Sequence, residues 1–385
     1  MDDWRTATLA DVAVIIGRGV TPKYSDSGAV VVLNQKCIRD GRVDLHPSRR
    51  HDSIAKPVTP EKLLRIGDVL VNSTGTGTLG RIAAVRSLTV PTTVDSHVTI
   101  VRPQEWTDAR WLGYSLLASQ SMIEAMAEGS TGQTELSRYS LSLLPLPIPS
   151  LREQRAIAEV LGALDDKIEA NRRLAGLCDS TWRAIAASEL DGELVPLSRL
   201  ARFVNGGAYT KGASGTGKVV IRTPELTSGP TGTTVYSDRD VPADQLARPG
   251  DLLFVWSGSL AAHRWHRTEA IINQHIFKVI PSPGIPMWLV HDRILGLLPE
   301  FISIAADKAT TMGHIQRHHL DTPVLLPNAD RLVVLDVACA PLWDRALAAE
   351  RESLVLTQLR DFLLPRLVSG ELRVRDADPV VKEAV

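Results

Sequence analysis

One segment of the sequence has the spacing of a phosphate-binding loop. Gly212-Ala-Ser-Gly-Thr-Gly217-Lys218 satisfies the GxxxxGK pattern, in which backbone amides surround phosphate groups. The next residue is Val219, where a working loop has a Ser or Thr hydroxyl for Mg²⁺. Val219 also begins a predicted strand, whereas a phosphate-binding loop opens a helix whose N-terminus faces the phosphates. We therefore interpret this segment as a turn that binds no nucleotide.

The sequence also lacks the motifs of a methyltransferase. An enzyme acting on adenine N6 is expected to carry an Asp/Asn-Pro-Pro-aromatic tetrapeptide and a glycine-rich cofactor turn, and neither occurs. Asp165-Asp166-Lys167 places carboxylates beside a lysine, as in nucleases, but it lies within a predicted helix, where a solvated face is the simpler interpretation. We therefore expect no catalytic residue and no cofactor in this chain.

Histidines in the second half of the chain have the spacing of metal ligands. An i, i+4 pair on a helix can share one ion, but zinc usually needs a third or fourth ligand, and nothing specific supplies it. The histidines are His263, His266, His314, His318 and His319, and the neighbouring cations are Arg264, Arg267, Lys308 and Arg317. The pattern favours a polar surface that faces nucleic acid, with no metal site.

The composition favours a reducing compartment without a membrane anchor. The cysteines, Cys37, Cys178 and Cys339, are far apart and form no CxxC pair. Residues 1 to 20 lack the basic segment, apolar run and cleavage site of a signal peptide. No apolar stretch reaches the roughly 18 residues of a membrane span. We expect a soluble, cytoplasmic protein.

The charge balance neither identifies nor excludes a nucleic-acid binder. The formal net charge is −1, whereas a sequence-independent grip on phosphates usually gives a basic excess. Of the 43 basic residues 33 are arginine, the side chain that forks onto guanine and phosphate oxygens. A GC-rich genome produces the same bias, so both explanations stay open.

The most informative feature of the sequence is an internal repeat with a period of roughly 180 residues. From His97 and His275 onward the offset is a constant 178 residues, whereas earlier landmarks are offset by 183 to 189. The paired landmarks are Gly28–Leu33 with Gly217–Ile221, Arg65–Leu70 with Arg248–Leu253, Val94–Ile100 with Ile272–Lys278, Leu144–Pro149 with Thr322–Pro327, and Gly192–Leu194 with Gly370–Leu372. Insertions and deletions therefore concentrate early in each module, where loops tolerate them and binding specificity usually resides.

Each proline-rich landmark is followed by a predicted long helix. Ser150-Leu-Arg-Glu153 is a capping box, and Asn328 is an acceptable N-cap for the second helix. In the first helix a seam recurs every three or four positions, as in a coiled coil, at Ile157, Leu161, Leu164, Ile168, Asn171, Ala175, Cys178, Trp182 and Ile185. Asn171 is the polar residue of this seam, and we expect it to fix the register of the helices. In the second helix Leu335, Cys339, Leu342 and Ala346 continue the pattern, whereas Ser353 and Arg360 interrupt it and Leu347 and Leu354 predict a shifted stripe. A helix of this length spans roughly 55 Å.

These landmarks predict an α+β protein with a pseudo-twofold repeat, in which the long helices form an antiparallel coiled coil. The alternative is a pair of ordinary bundle helices, but near-identical flanking modules favour a spacer. The expected domains are a globular module at 1–149, a spacer helix at 150–189, a second globular module at 190–327, a second helix at 328–366 and a C-terminal segment at 367–385. Short helices are predicted at 108–126 and 287–307, and residues 373–385 are predicted to be a solvated tail.

Two stretches resemble the specificity subunits of type I restriction-modification systems. Leu144–Ile157, continuing to Leu164-Asp-Asp-Lys-Ile168, is similar to the start of the first central helix of that family. Leu359–Leu372 is similar to the end of its second helix. Weaker similarity lies at Gly67–Gly75 and Gly250–Gly258, which resemble the strand and glycine loop of each target-recognition domain.

The resemblance implies a non-catalytic subunit that reads a bipartite site on double-stranded DNA, one half-site per module, with the helices setting the unread spacer. It implies two methylation subunits that supply S-adenosylmethionine and N6-adenine chemistry, and, where one is present, a restriction subunit that uses ATP and Mg²⁺ to translocate and cleave DNA. Half-sites one helical turn or more apart suit two modules held by a spacer.

Polar loop residues beside glycine are the candidate DNA contacts, because backbone can approach phosphate there and short side chains can reach base edges. In the first module they are Arg18, Lys36, Thr74, Thr76 and Gln133, and in the second they are Tyr209, Lys211, Ser257, Arg264 and Arg317. The helix segments of the resemblance point to a partner interface at Glu153, Gln154, Asp166, Arg360 and Asp361.

Two other functions remain open at the level of the sequence. A coiled-coil scaffold or adaptor whose modules bind proteins is the principal alternative, and the near-neutral charge favours it. An ATP-dependent enzyme built on the Gly212 loop is the other. Salt-dependent DNA binding separates the scaffold from the DNA reader.

Overall fold

The computed structural model describes residues 4–39, 41–129, 134–188, 191–307 and 313–385. The chain divides into two compact units, the first formed by 1–167 with 356–385 and the second by 168–355. In the described residues no helix is long and apolar enough to span a membrane.

The first unit contains a four-stranded antiparallel sheet in the order β2-β10-β7-β8 and a three-stranded sheet in the order β6-β3-β9, in which β3 and β9 are parallel. β1 pairs with β11, and β4 pairs with β5. The strands are β1 Arg5–Thr8, β2 Ala13–Arg18, β3 Val30–Leu33, β4 Ile38–Arg39, β5 Arg42–Val43, β6 Arg49–His51, β7 Val69–Asn72, β8 Ile82–Ala84, β9 Thr92–Val94, β10 Val98–Pro103 and β11 Pro145–Ile148. The helices are α1 Leu9–Val12, α2 Ala109–Ala118, α3 Gln120–Ala125 and α4 Arg138–Ser142. The helix predicted at 108–126 is therefore divided at Ser119.

The first long helix, α5, extends over Leu151–Ala187 and contributes residues to both units. Its predicted capping box is confirmed, because the Glu153 amide donates to Ser150 Oγ at 3.3 Å and the Ser150 amide donates to Glu153 Oε2 at 3.3 Å. These bonds satisfy amides that a helix N-terminus otherwise leaves without partners.

The second unit repeats the sheet topology of the first. Its antiparallel sheet has the order β13-β20-β17-β18, its second sheet has the order β15-β14-β19-β16 with β14 and β19 parallel, and β12 pairs with β21. The strands are β12 Glu193–Pro196, β13 Ala201–Asn205, β14 Lys218–Ile221, β15 Tyr236–Ser237, β16 Leu246–Ala247, β17 Leu252–Val255, β18 Ala261–Arg264, β19 Ala270–Ile272, β20 Ile276–Pro281 and β21 Pro323–Leu326. The helices are α6 Leu197–Leu200, α7 Thr223–Thr227 and α8 Met287–Asp307. Lys218 begins a strand, as the sequence predicts, and does not open a helix.

A glycine-aspartate turn enters the central strand of each antiparallel sheet. Gly67 has φ +95° and Gly250 has φ +97°, a region that favours glycine. In both turns the following aspartate accepts a backbone amide three residues upstream, from Arg65 to Asp68 at 2.8 Å and from Arg248 to Asp251 at 2.6 Å. The same local sequence therefore builds the same strand entry twice.

The second long helix, α9, extends over Ala329–Ser369, and the Asn328 side chain caps it by accepting the Arg331 amide at 2.9 Å. The predicted shift of its apolar stripe is wrong, because Leu356 and Leu363 are buried on the original seam.

The prediction of a solvated tail at 373–385 is also wrong, because this segment contains helix α10, Val374–Ala384. Ala377 and Val381 are buried. Their spacing of four residues places both on one helix face, which buries apolar surface that a solvated tail would expose. The α+β class and the repeated architecture are confirmed.

Candidate nucleic-acid interface and helix pair

Polar side chains lie at the ends of three strands, at equivalent positions of the two antiparallel sheets. Thr99 pairs with Arg18, and Phe277 pairs with Asn205, so Arg18 and Asn205 occupy the same register position. The residues that follow β7 and β17 correspond in the same way, because Asn72 pairs with Val98 and Val255 pairs with Ile276. We call Arg18, Thr74 and His97 the first strand-end face, and Asn205, Ser257 and His275 the second.

Charge and hydroxyl groups dominate the first strand-end face. The Arg18 guanidinium donates to Glu135 Oε1 at 2.7 Å and to the carbonyl oxygens of Ser96 and Leu136 at 3.1 and 2.8 Å. Burial lowers the pKa of Arg18, and the charge of Glu135 opposes that shift. Arg18 is therefore oriented by the module itself.

A threonine at the end of β7 joins a second network on this face. The amide nitrogen of Gln35 donates to the carbonyl and hydroxyl oxygens of Thr74 at 2.7 and 2.6 Å, and Thr74 Oγ1 lies 2.9 Å from His97 Nδ1. Lys36 and Thr76 are exposed beside it, Thr76 between two glycines of positive φ. The structure thus brings Arg18, Lys36, Thr74 and Thr76 to one module face, while Gln133 lies outside the described residues.

The second strand-end face is built on an aromatic side chain. The Trp256 Nε1–H donates to Asn205 Oδ1 at 2.9 Å, and its ring stacks on Phe277 with centroids 5.7 Å apart. The rings of His275 and His314 lie 5.7 and 6.2 Å from Trp256. Asn205 and Trp256 were absent from the predicted contacts, although the register of the repeat relates Asn205 to Arg18.

The predicted contacts of the second module do not all lie on this face. Ser257 follows Trp256 and is buried, and Arg317 is exposed and donates to the Phe203 carbonyl at 3.1 Å. Tyr209 donates its hydroxyl to Gln245, whose amide nitrogen binds the Asn205 carbonyl at 3.1 Å. Lys211 is exposed.

The prediction of Arg264 as a DNA contact is wrong. Its side chain is only 3% exposed and pairs with Asp179 at 3.1 Å and Glu350 at 2.9 Å. The guanidinium also lies 4.5 Å from the centre of the Trp343 ring. His266 lies 4.0 Å from the same Glu350, so this part of the expected polar surface faces the long helices. Arg264 therefore binds the helices and is not a surface contact.

In the first unit the long helices meet at a buried carboxylate. Asp165 on α5 accepts hydrogen bonds from Arg86, from the Tyr114 hydroxyl at 2.8 Å and from Arg360 on α9 at 3.1 Å. Burial raises the pKa of this carboxyl group, but the charges of Arg86 and Arg360 and the tyrosine hydrogen bond outweigh burial and hold it below its usual value. Asp165 is therefore ionised and fully partnered.

The predicted partner interface separates into buried and exposed residues. Gln154 is 1% exposed and bonds the Asp108 amide at 2.8 Å, so its prediction as a partner contact is corrected to a structural role. Arg360 is corrected in the same way, since its side chain is 16% exposed and bound to Asp165. Glu153 caps α5 and lies 3.4 Å from Arg373. Asp166 and Asp361 are exposed.

The second unit holds the same helices together with aromatic rings. Trp182 on α5 contacts Trp343 on α9 edge to face at a centroid distance of 5.9 Å, and the buried His291 ring lies 5.8 and 5.2 Å from these rings. The Asn171 amide donates to Glu352 at 2.8 Å. The predicted seam polar residue therefore has a specific partner on the opposing helix.

The repeat relates these two junctions directly. At the offset of 178 residues Asp165 corresponds to Trp343, and Trp182 corresponds to Arg360. One junction is thus an ion pair and the other an aromatic pair at the same two positions. In the first unit a cavity of about 420 Å³ lies beside the ion pair, lined by Gly113, Tyr114, Asp165 and Arg360 among others.

Comparisons with known proteins agree with this architecture. Residues 1–176 match the family model described as type I restriction modification DNA specificity domain. The MjaIX type I restriction enzyme specificity subunit of Methanocaldococcus jannaschii is 23% identical over 429 aligned positions, which cover 97% of this chain and 94% of the relative. The putative MjaX specificity subunit of the same organism is 23% identical over 172 positions, covering 43% of this chain and 40% of that relative.

A solved structure shares the fold. The S subunit of a type I restriction-modification system from M. genitalium superposes with a TM-score of 0.58 at 15% identity, covering 95% of this chain and 96% of the other. Together with the matches in sequence, this confirms the resemblance to the type I specificity subunits.

Asp165→Asn is expected to lower the free energy of unfolding by about 3 kcal/mol, the lower end of the cost of breaking a buried pair, because it leaves the mostly buried Arg360 and the partly exposed Arg86 without their carboxylate. The exposed neighbour Asp166→Asn is the matched control, with an expected loss of about 0–1 kcal/mol. Because the folded pKa of Asp165 is lowered, its contribution is present above the unfolded value of about 3.9 and disappears as pH falls through the folded value. Denaturant titrations from neutral pH to pH 3 measure this, and equal losses for both variants would contradict it.

Arg264→Met is expected to lower the free energy of unfolding by about 2–3 kcal/mol, less than a fully buried pair, because Asp179 and Glu350 are partly exposed. The sequence preference for DNA should not change. Arg202→Met, at an exposed arginine paired with Asp244, is the control with little expected effect. Denaturation and DNA-binding selectivity are measured on the same preparations. An altered base preference with unchanged stability would show that Arg264 is a DNA contact, as the sequence predicts.

Proposed function

We propose that this chain, which resembles the type I specificity subunits over nearly its whole length, reads a bipartite sequence on double-stranded DNA. The observation that carries this proposal is the pair of strand-end faces. The antiparallel sheets of the two modules share one strand order and one register, yet Arg18 and Ser73 of the first module stand where the second has Asn205 and Trp256. Recognition of two unlike half-sites requires different side chains, and here they lie on the same backbone arrangement.

In the first module the oriented Arg18, with Lys36 and Thr74 nearby, suits phosphate and base-edge contacts. A guanidinium whose rotamer is already fixed loses less side-chain entropy on binding. Arginine pairs with guanine edges in the major groove, whereas threonine hydroxyls serve several bases. In the second module Asn205 and the exposed Arg317 take the corresponding roles.

The paired helices act as the spacer between the half-sites in this proposal. Tight antiparallel contacts, such as Asn171 with Glu352, fix the axial register of α5 against α9. A stiff pair of about ten turns each provides a length that thermal motion changes little. The unread DNA between the half-sites then has a constant number of base pairs.

Methylation subunits are the proposed partners, and they bring S-adenosylmethionine and the N6-adenine chemistry. A restriction subunit, where present, brings ATP and Mg²⁺. The chain itself acts as a non-catalytic subunit in the cytoplasm. Exposed carboxylates at Asp166 and Asp361 support docking on the helices, as do apolar side chains more than half exposed at Leu177, Val333, Val334, Val337, Val355 and Phe362.

Genome-wide mapping of N6-methyladenine in cells with and without the chain tests the proposal. We expect one bipartite motif with a fixed spacer to lose methylation when the chain is absent. The purified chain alone should transfer no methyl group, and should bind the motif selectively once its methylation subunit is added.

Two outcomes would reject the proposal. Methyl transfer by the purified chain alone would show that it is an enzyme. Unchanged methylation together with no affinity for any duplex at low salt would favour a protein-binding scaffold, since phosphate contacts are strongest at low salt.

A further inference from the structure

The second strand-end face contains a recess of about 420 Å³ lined by Asn205, Trp256, Phe277, His314, Ile315, Gln316 and Arg317. Aromatic rings, an amide and a guanidinium therefore converge on one small volume. Stacking surfaces combined with amide and guanidinium donors are the groups with which proteins bind nucleobases.

The aromatic wall of the recess is rigid. The Trp256 ring packs on Phe277 at an interplanar angle of 28°, and Phe277 is 7% exposed within the core of the second unit. The bond from Trp256 Nε1 to Asn205 Oδ1 fixes the remaining rotation of the indole. A ring held in this way can stack on a planar ligand without losing side-chain entropy.

The rim of the recess is polar and accessible. Gln316 and Arg317 are exposed, and Arg317 uses one nitrogen for the Phe203 carbonyl at 3.1 Å. Guanidinium groups have five N–H donors in a fixed fork, so donors beyond this one bond exist for a ligand. An amide and a guanidinium at the rim suit the edge of a base whose face lies on Trp256.

The first module has different chemistry at the same register positions. Ser73 stands where Trp256 stands and Thr99 where Phe277 stands, and their hydroxyl oxygens lie 2.6 Å apart, buried. Arg18, which corresponds to Asn205, bonds to Glu135 and to two backbone carbonyls. The aromatic recess is therefore specific to the second module and not part of the common frame.

We propose that this recess binds one nucleobase of the second half-site, turned out of the base stack with its plane against Trp256. The inference rests on the proposed DNA-reading function. Extrusion of a base costs its stacking and pairing, and stacking on the indole with hydrogen bonds from the rim offsets that cost. The base lies outside the adenine positions that receive the methyl group.

The test uses the complete complex of the chain with its methylation subunits and duplexes carrying the mapped motif. An abasic site is placed, one position at a time, opposite each base of the motif. Loss of the pairing partner removes part of the cost of extrusion, so affinity should rise by on the order of tenfold at the position that enters the recess. Base pairs containing the methylated adenines are excluded from the comparison.

Variants of Trp256 separate stacking from packing. Trp256→Leu keeps an apolar side chain on Phe277 but removes the stacking plane, and should abolish the gain in affinity. Trp256→Phe keeps a stacking plane and should retain it. Trp106→Ala, at a partly exposed tryptophan of the first unit, is the control and should behave as the wild type.

Two results would overturn the inference, the absence of any position with increased affinity in the wild type and persistence of the increase in Trp256→Leu. If the first result is accompanied by loss of base preference in Trp256→Leu, Trp256 contacts a paired base in the groove. If the wild type shows no motif-selective binding at all, the proposed function fails first, and the two failures are therefore distinguishable.

Discussion

The antiparallel pairing of α5 and α9 is the interaction on which the rest of the structure depends. In each unit side chains of the globular module make polar contacts with the long helices. Arg86 and Tyr114 reach Asp165 in the first unit, and Arg264 reaches Asp179 and Glu350 in the second. Displacement of a module from the helices would separate these hydrogen-bonded ions and expose the apolar surface packed around them. The modules are therefore held to the helices by electrostatic requirements as well as by apolar packing.

The two copies of the repeat join the long helices through different side chains at equivalent positions. An ion pair of Asp165 with Arg360 stands where the other unit has Trp343 with Trp182. The aromatic pair buries more apolar surface, whereas the ion pair gains little net stability and strongly penalises loss of either partner. The same divergence affects the strand-end faces, where Arg18 and Ser73 correspond to Asn205 and Trp256. Backbone hydrogen bonds and glycine turns are retained in both copies, so the side chains are free to differ without changing the frame.

Much of this architecture follows from the sequence, and the exceptions have physical causes. Capping residues Ser150 and Asn328 and the constant offset of the repeat locate both long helices, because these signals are local or periodic. Arg264 was misassigned since local sequence does not reveal that two helix carboxylates surround it. The C-terminal segment 373–385 is rich in charge, and the burial of Ala377 and Val381 depends on tertiary packing that the sequence does not display. Trp256 was missed because its environment is formed by strands distant in the chain.

In the proposed function the helix pair sets the distance between two independently read half-sites. Insertion of one seven-residue helical segment after Lys167 in α5 and another after Val355 in α9, at the boundaries of the two units, leaves the contacts within each unit in place. It also keeps the seam in phase, since seven residues make about two turns. Each insertion lengthens its helix by about 10 Å, which corresponds to about three base pairs. Mapping of N6-methyladenine in cells carrying this variant should give both original half-sites separated by a spacer longer by about three base pairs. An unchanged spacer, or a change in the bases of either half-site, would contradict the account.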